Sequence, residues 1–428
     1  MRRSYGRLHV IPKGMAGTSA KKNTAFAESS QTDFEQICAN FVTDTPLFCT
    51  LSNMNESQAY ILFNTIPSVG AATVRAGIRH FGSVVEFATA TPEQLLAVRG
   101  IGEDRAAAIS QAARNETWKR EEERAASCNT RIVTLNEPEY PELLTSIHSP
   151  PLALYIAGDA TLLSKTCLAM VGTRAPTLYG RDTARLFASR LSMAGLVIVS
   201  GLARGIDTEA AEGALQSRGK TIAVIGSGLD KIYPAENRGL AHRICEAGGA
   251  VMTEYPFGRN ADRQTFPMRN RIIAGLCGGV LCVEAGLRSG TLITADAALE
   301  QGRAVMAIPG RISDPSALGC LKLIKSGARL IDCPEDVLEE LASLPSLGHP
   351  PSTIPSLAPS PKLPTPDNLT PNEQKLLSCF QDASPKSADE LQRSSGILPG
   401  NIPSLLIALE MKCLLRRTPD NLYVRVRS

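Results

Sequence analysis

The chain's 11 cysteines include no C-x-x-C pair, their number is odd, and its five histidines are scattered. Those absences argue against a disulfide framework and a zinc site, so no metal is expected. Cys167 and Cys282 lie in apolar runs, as reduced core thiols of a cytoplasmic protein do. No apolar run reaches membrane-spanning length, and no membrane partner is expected. The first 27 residues lack any acid but carry Arg2, Arg3, Arg7, Lys13, Lys21 and Lys22. They also lack the apolar core of a secretory signal, leaving a flexible extension or an organellar transit peptide, with Met54 as an alternative start.

Several enzyme signatures are missing too. Without G-x-x-x-x-G-K-[ST] there is no motor for ATP hydrolysis, and without G-x-S-x-G or a Ser-His-Asp set no serine nucleophile. A dinucleotide site would need G-x-G-x-x-G after the first strand, and "GSGLDK" lacks the third glycine and comes too late. Neither a catalytic residue nor a cofactor is therefore expected.

What the chain does have is a basic middle. Its formal charge is only +3 over 428 residues, yet Lys165–Leu330 holds 21 Lys and Arg against 13 Asp and Glu. Such asymmetry suggests an anionic partner without identifying it.

Five segments separate by composition. Residues 1–50 read as a flexible extension. Residues 51–126 read as helices with short loops, among them "IPSVGAATVRAGIRHFG" and "VRGIGEDRAAAI". The second fits a helix-hairpin-helix, whose Gly-x-Gly turn offers backbone N–H groups to a DNA phosphate, and equally an ordinary αα turn. Residues 127–341 alternate strand-like runs at 167–171, 196–200, 221–225, 250–254, 279–284 and 304–308 with helical stretches. That alternation predicts βαβ units and a doubly wound parallel sheet covered on both faces. Residues 342–366 form a proline-rich linker; eight of the chain's 28 prolines fall in 345–366. In residues 367–428, "TPNEQKLL" and "SADELQR" carry capping boxes, and a third helix precedes "LLRRTPDNLYVRV", a hairpin pattern. Three helices and a hairpin predict a winged helix, although its third helix offers only Lys412, beside Glu410, for base readout.

In such a sheet the carboxyl ends of the strands share one edge, where ligands bind. Five turns there bear glycine. Gly172-Thr173-Arg174 follows the first run; Ser200, Gly201 and Arg204 stand in "SGLARGID"; Lys231 follows Gly226 and Gly228. Arg269, Asn270 and Arg271 stand at a helix start in "FPMRNRIIAG", and Arg288, Ser289, Gly290 and Thr291 open another helix. One such loop could be a plain βα turn with a solvated arginine. Five converging loops instead supply backbone N–H groups, hydroxyls and arginine forks for repeated phosphates, as in a nucleic-acid strand. Asp207 and Glu254 are expected to cap or orient these loops.

"MVGTRAPTLYG", "SGLARGID", "GLDKIYP", "FPMRNRIIAGL", "EAGLRSGTLITA" and "GRAVMAIPGRI" followed by "GC" closely resemble the DNA-processing protein A (DprA/Smf) family. The resemblance runs from about Leu51 to Leu341 and more loosely through the tail. It implies an extended Rossmann-like core with an N-terminal SAM-like helical domain and a C-terminal winged helix. The implied function is a recombination mediator that binds single-stranded DNA, loads RecA recombinase, displaces single-strand-binding protein and forms homodimers in natural transformation. The family's motifs map the DNA pocket onto Gly172, Thr173, Arg174, Lys231, Arg269, Asn270, Arg271, Ser289, Gly290 and Thr291. Two positions depart from the pattern: Ala210-Ala211 replaces Ala-His, and Gly319-Cys320-Leu321 replaces Gly-Cys-Asn. The alternative is a nucleotide phosphoribohydrolase of the lysine-decarboxylase-like group, but Thr294 stands where that group's catalytic Glu belongs.

Overall fold

The structure, a computed structural model, describes residues 54–344, 369–380, 385–412, 414–418 and 421–425. The expected extension over 1–50 and the proline-rich stretch 345–366 lie outside the described residues. Two compact units divide at residues 354 and 355.

In the first unit, six helices lead: α1 (Glu56–Asn64), α2 (Ala71–Phe81), α3 (Val84–Thr89), α4 (Pro92–Leu95), α5 (Glu103–Arg114) and α6 (Thr117–Ser127). Short helices such as these are marginal alone and depend on a shared core. Phe63 and Phe87 stack at 4.5 Å within it, with Leu62, Ile109 and Trp118 buried around them. Leu152 joins the same cluster, so the helices are packed on the sheet region that follows.

That region holds β1 (Thr130–Thr134), α7 (Glu142–Thr145), β2 (Ala153–Gly158), β3 (Cys167–Val171), α8 (Leu178–Met193), β4 (Val197–Ser200) and α9 (Ile206–Gln216). It continues through β5 (Thr221–Val224), α10 (Arg238–Glu246), β6 (Ala250–Thr253), α11 (Thr265–Leu276), β7 (Gly279–Cys282) and α12 (Gly290–Glu300). It closes with β8 (Ala304–Ala307), α13 (Leu318–Lys325), β9 (Arg329–Leu330) and α14 (Pro334–Ala342). The nine strands run in the order β1-β2-β6-β5-β4-β3-β7-β8-β9.

From β6 to β9 every pair is parallel. Strands β3 to β7 are buried along their whole length, as a sheet covered on both faces requires. Ala169, Val199 and Val280 pack one face onto Ile272, Ile273 and Ala295; Leu168, Ile198 and Leu281 pack the other onto Phe187 and Ala210. The expected parallel sheet is therefore present, extended by an antiparallel pair, β1 and β2, docked on β6. Strand β2 returns antiparallel, so its carboxyl end adds nothing to the edge where the parallel strands end. No helix among the described residues is long and apolar enough to cross a membrane.

The second unit holds α15 (Pro371–Ser378), α16 (Ala388–Ser395), α17 (Ile402–Met411), β10 (Leu415–Arg417) and β11 (Tyr423–Arg425). Thr370 with Glu373 and Ser387 with Glu390 form the capping boxes read from sequence. Leu376, Leu391, Leu406 and Leu409 close the core, and β10 and β11 pair antiparallel as a winged helix does.

Helices α8 and α9 approach closely where Gly213 faces Arg185. A Cβ there would stand 2.5 Å from the Arg185 carbonyl oxygen and 2.8 Å from its Cα. Backbone cannot step aside as a side chain can. Gly213→Ala should therefore cost roughly 1–3 kcal/mol, the range for overpacking, despite alanine's better helix propensity. Urea unfolding measures it; an unchanged or raised midpoint would show that the two helices separate freely.

Candidate nucleic-acid interface

Strand order reverses direction at β3: the chain builds outward through β4, β5 and β6, then returns to place β7 on β3's other side. Open α/β sheets present their ligand crevice at the carboxyl edge near such a reversal. Here the loops after β3, β4 and β5 and the first turns of α11 enclose a pocket. Arg174, Gly201, Ala203, Arg204, Tyr233, Pro234, Phe266 and Arg269 line it.

Local geometry fixes each loop. Thr173 N–H donates to the Glu284 carbonyl at 2.8 Å, tying the β3 loop to the end of β7, and Thr173 O accepts from Ile206 N–H at 3.1 Å. Gly205 has φ +79°, and a Cβ on it would lie 2.3 Å from Thr173 O, so only glycine lets the β4 loop lie against the β3 loop. Arg174 is left exposed, its guanidinium 5.2 Å above the Phe266 ring. Tyr233 is 48% exposed, and its ring sits 5.7 Å from that of Phe266.

The pocket floor is Arg269, 4% exposed. Its guanidinium occupies the space beside Gly201, where a Cβ would fall 1.5 Å from Nη1. Burial pushes its pKa down, opposed by the nearby Asp207 carboxylate. Asp207 is itself buried, which raises its pKa against the pull of Arg269. One carboxylate oxygen of Asp207, Oδ2, accepts the N–H groups of Gly201 at 3.0 Å and Ala203 at 3.3 Å, capping the loop. Among the described residues Nε of Arg269 has no hydrogen-bond partner. Leaving a buried guanidinium with an unbonded donor is costly.

The remaining candidates from the sequence are distributed unevenly. Gly172 lets Ile206 pack close, its would-be Cβ lying 2.4 Å from Ile206 Cγ1. Ser200 is buried and its hydroxyl donates to the Met170 carbonyl at 2.7 Å, a bond within the sheet. Arg204 pairs with Glu236 at the rim. Lys231 is exposed on the short 3-10 turn that precedes Tyr233, and Asn270 is half-buried beside Arg269. Arg271 turns away from the pocket, because Glu254 pairs with it and the Ser149 carbonyl accepts from its Nη1 at 2.6 Å. Arg288, Ser289, Gly290 and Thr291 sit beyond β7, outside the pocket lining; Ser289 caps α12 by accepting from Thr291 N–H at 3.2 Å.

Three carboxylates near this edge each have a partner, although among the described residues Glu254 keeps its Oε1 without one. Asp207 caps a loop, Glu254 pairs with Arg271, and Glu284 accepts from the N–H and hydroxyl of Thr177. Thr294, where the hydrolase group carries glutamate, is buried on α12. The departures at Ala210 and Ala211 are likewise buried, and Gly319 donates its N–H to the Ala285 carbonyl at 2.7 Å.

Sequence reasoning missed Tyr233 and Phe266. The available signal was their spacing, since "KIYP" and "FPMRN" each set an aromatic within three residues of a cation on the same edge. The flanking modules are less receptive. The hairpin before α5 turns through Gly100 at φ +91°, but Glu103 and Asp104 occupy the first turn of that helix. On the winged unit Lys412 is drawn to the buried Glu373 carboxylate at 2.7 Å, which lowers that carboxyl's pKa.

These features define an extended Rossmann-like protein with an arginine-lined pocket at its sheet edge, flanked along the chain by helix-hairpin-helix and winged-helix modules. Family models agree: "DNA recombination-mediator protein A" matches residues 131–342, "SAM-like Helix-hairpin-helix tandem" 61–115 and "DprA winged helix domain" 359–421. The chain is 34% identical over 397 residues to Protein Smf of Synechocystis sp., spanning 87% of this chain and 99% of that one. It is 44% identical over 210 residues to the DNA processing protein DprA of Bacillus subtilis, spanning 49% and 70% respectively. The X-ray structure of DNA processing protein A from Streptococcus pneumoniae superposes with a TM-score of 0.57 at 34% identity, covering 67% of this chain and 98% of that one. The chain belongs to the DprA/Smf family.

Two glycines separate the demands on the edge. Gly201→Ala should destabilise the fold, because the new methyl would displace the buried Arg269 guanidinium. Gly290→Ala meets nothing within 4 Å at the first residue of α12 and should be neutral or stabilise by up to about 1 kcal/mol. Urea unfolding of both variants reads the contrast; equal midpoints would refute the packing assigned to Arg269.

Proposed function

We propose that this protein is a non-catalytic, single-stranded-DNA-binding recombination mediator that holds a strand along the carboxyl edge of its sheet. The single observation that carries this reading is the buried, incompletely partnered Arg269 beneath a rim of Arg174, Phe266 and Tyr233. Phosphate oxygens suit the arginines, and a base face suits the rings. Stacking accepts any base, so sequence preference should be weak. A flexible strand enters an edge pocket more easily than a rigid duplex.

The assignment extends along the chain. Gly172, Thr173, Ser200 and Gly201 shape the backbone around the strand, while Arg174, Arg204, Lys231 and Arg269 meet phosphates. Asn270, Arg288, Ser289, Gly290 and Thr291 lie along the same edge as secondary contacts. Arg271 serves from behind, holding Glu254. Residues 51–126, 127–341 and 367–428 are the proposed domains. Membership of a recombination-mediator family supports RecA recombinase as the receiving partner, with single-strand-binding protein displaced and a homodimer as the working form in the cytoplasm during natural transformation.

The decisive residue is Arg174. Arg174→Ala should weaken binding alike for oligo-dT and mixed sequences, since phosphate contacts carry no base information. The loss should be roughly 1.5–3 kcal/mol, the range for a hydrogen bond to a charged group. The slope of log K against log salt should shrink by about 0.7, the single-strand value for one phosphate. Arg174→Lys should recover only part, keeping the charge but not the fork. An unchanged salt slope in a folded variant would return Arg174 to the role of a turn residue.

A further inference from the structure

We infer that the N-terminal helices brace the strand-holding loops, with Glu121 of α6 and Asn64 of α1 acting as positioning residues that never touch DNA. This rests on the proposed function of the pocket. Glu121 is 5% exposed, and its Oε2 accepts the backbone N–H of Phe257 at 3.0 Å. Arg124, one turn on, donates to Glu121 Oε1 at 3.3 Å and to the Phe257 carbonyl at 3.4 Å. Asn64 Nδ2 donates to the Glu254 carbonyl at 2.8 Å. Two helices far apart in sequence thus hold both ends of the segment Glu254–Phe257, where the chain leaves β6 for α11. The Phe257 ring, 9% exposed, is fixed edge-on against Tyr155 at 5.6 Å.

The same segment grips the pocket from its other side. Gly258 N–H donates to Asp230 Oδ1 at 2.8 Å, and Gly228 N–H donates to the Arg259 carbonyl at 2.8 Å. Gly228 and Asp230 begin the turn that delivers Lys231 and Tyr233, and the connection itself ends in the helix bearing Phe266 and Arg269. The connection is therefore clamped between the helical layer and both aromatic walls of the pocket.

Physical chemistry says what the clamp does. A carboxylate kept out of water is costly, and burial does raise the Glu121 pKa. Its compensation is directional: it fixes one backbone N–H and so the path of the connection. Without it the N–H of Phe257 loses its acceptor, the connection loosens, and Tyr233 and Phe266 no longer hold their spacing before the strand arrives. Binding would then bear the ordering cost itself. Direct phosphate contact by the helical layer is a poorer account, because Glu103 and Asp104 place negative charge at its best-formed hairpin.

Full-length Glu121→Leu, Glu121→Gln and Asn64→Ala should be titrated with labelled oligo-dT across a salt series, beside Arg174→Ala. Glu121→Leu should lower affinity about tenfold and leave the salt slope unchanged, because no phosphate contact is removed. Glu121→Gln keeps an acceptor for Phe257 N–H and should restore affinity to within about twofold, the conservative rescue a positioning role requires. Asn64→Ala should weaken binding in the same way and provides the test if Glu121→Leu does not fold. Lowered Tm with unchanged affinity would overturn the brace, and a smaller salt slope would show the helices touching phosphate instead. If Arg174→Ala weakens binding while Glu121→Leu and Asn64→Ala do not, the brace alone fails; if Arg174→Ala has no effect, the pocket reading fails first.

Discussion

One buried guanidinium organises this molecule. Arg269 reaches from α11 under the end of β4, into a space that exists only because residue 201 has no side chain. A cation there is expensive, and Asp207 offsets only part of that cost, since one of its oxygens is spent on two backbone N–H groups. The loops around it are fixed by contacts of their own. Gly205 must take a positive φ to bring the β4 loop onto the β3 loop, and Thr173 must tie that loop to β7. The result is a floor of positive charge facing an open edge.

The proposed function assigns this site binding without chemistry, and its carboxylates bear on that assignment. Acid–base or nucleophilic chemistry needs a carboxylate free to move a proton or attack. Asp207, Glu254 and Glu284 at this edge are tied to a loop cap, an ion pair and the start of α8, Glu254 through one oxygen only. Left outside any ion pair among the described residues are the Arg174 fork and the Lys231 ammonium, beside the exposed Tyr233 ring and the half-buried Phe266 ring. On the proposed function those groups would hold the phosphates and unstacked bases of the strand.

The alternation of buried strands and amphipathic helices made the parallel sheet legible, because strands covered on both faces are apolar throughout. Strands β1 and β2 were not legible in that way. "TRIVT" is only half-buried at an edge, and "ALYIAG" gives no sign of which neighbour it will choose. The two-residue β9 is exposed and carries no pattern. At the site, glycine and arginine along the carboxyl edge were readable because strand direction alone fixes which turns meet. Direction does not fix rotamers, however. Arg269 and Arg271 stand two residues apart on one helix, so they face different sides, one into the pocket and one toward Glu254. Tyr233 and Phe266 escaped for a related reason: their rings meet through a tertiary contact without local signature.

Net charge is the wrong measure of this edge. Arg271 with Glu254 and Arg204 with Glu236 all fall within the middle segment and cancel in its count, so the excess does not say which cations stand unpaired. Arg269 is partly answered by Asp207. Among the described residues Arg174 enters no ion pair, and its recorded neighbour is a ring. Its charge is therefore the least compensated at the pocket rim, and its exposure leaves the fork free to turn toward a ligand. Arg269 lies beneath it with a donor unspent. Under the proposed function a phosphate would sit against the exposed Arg174 fork, above a positive floor that the fold has already placed.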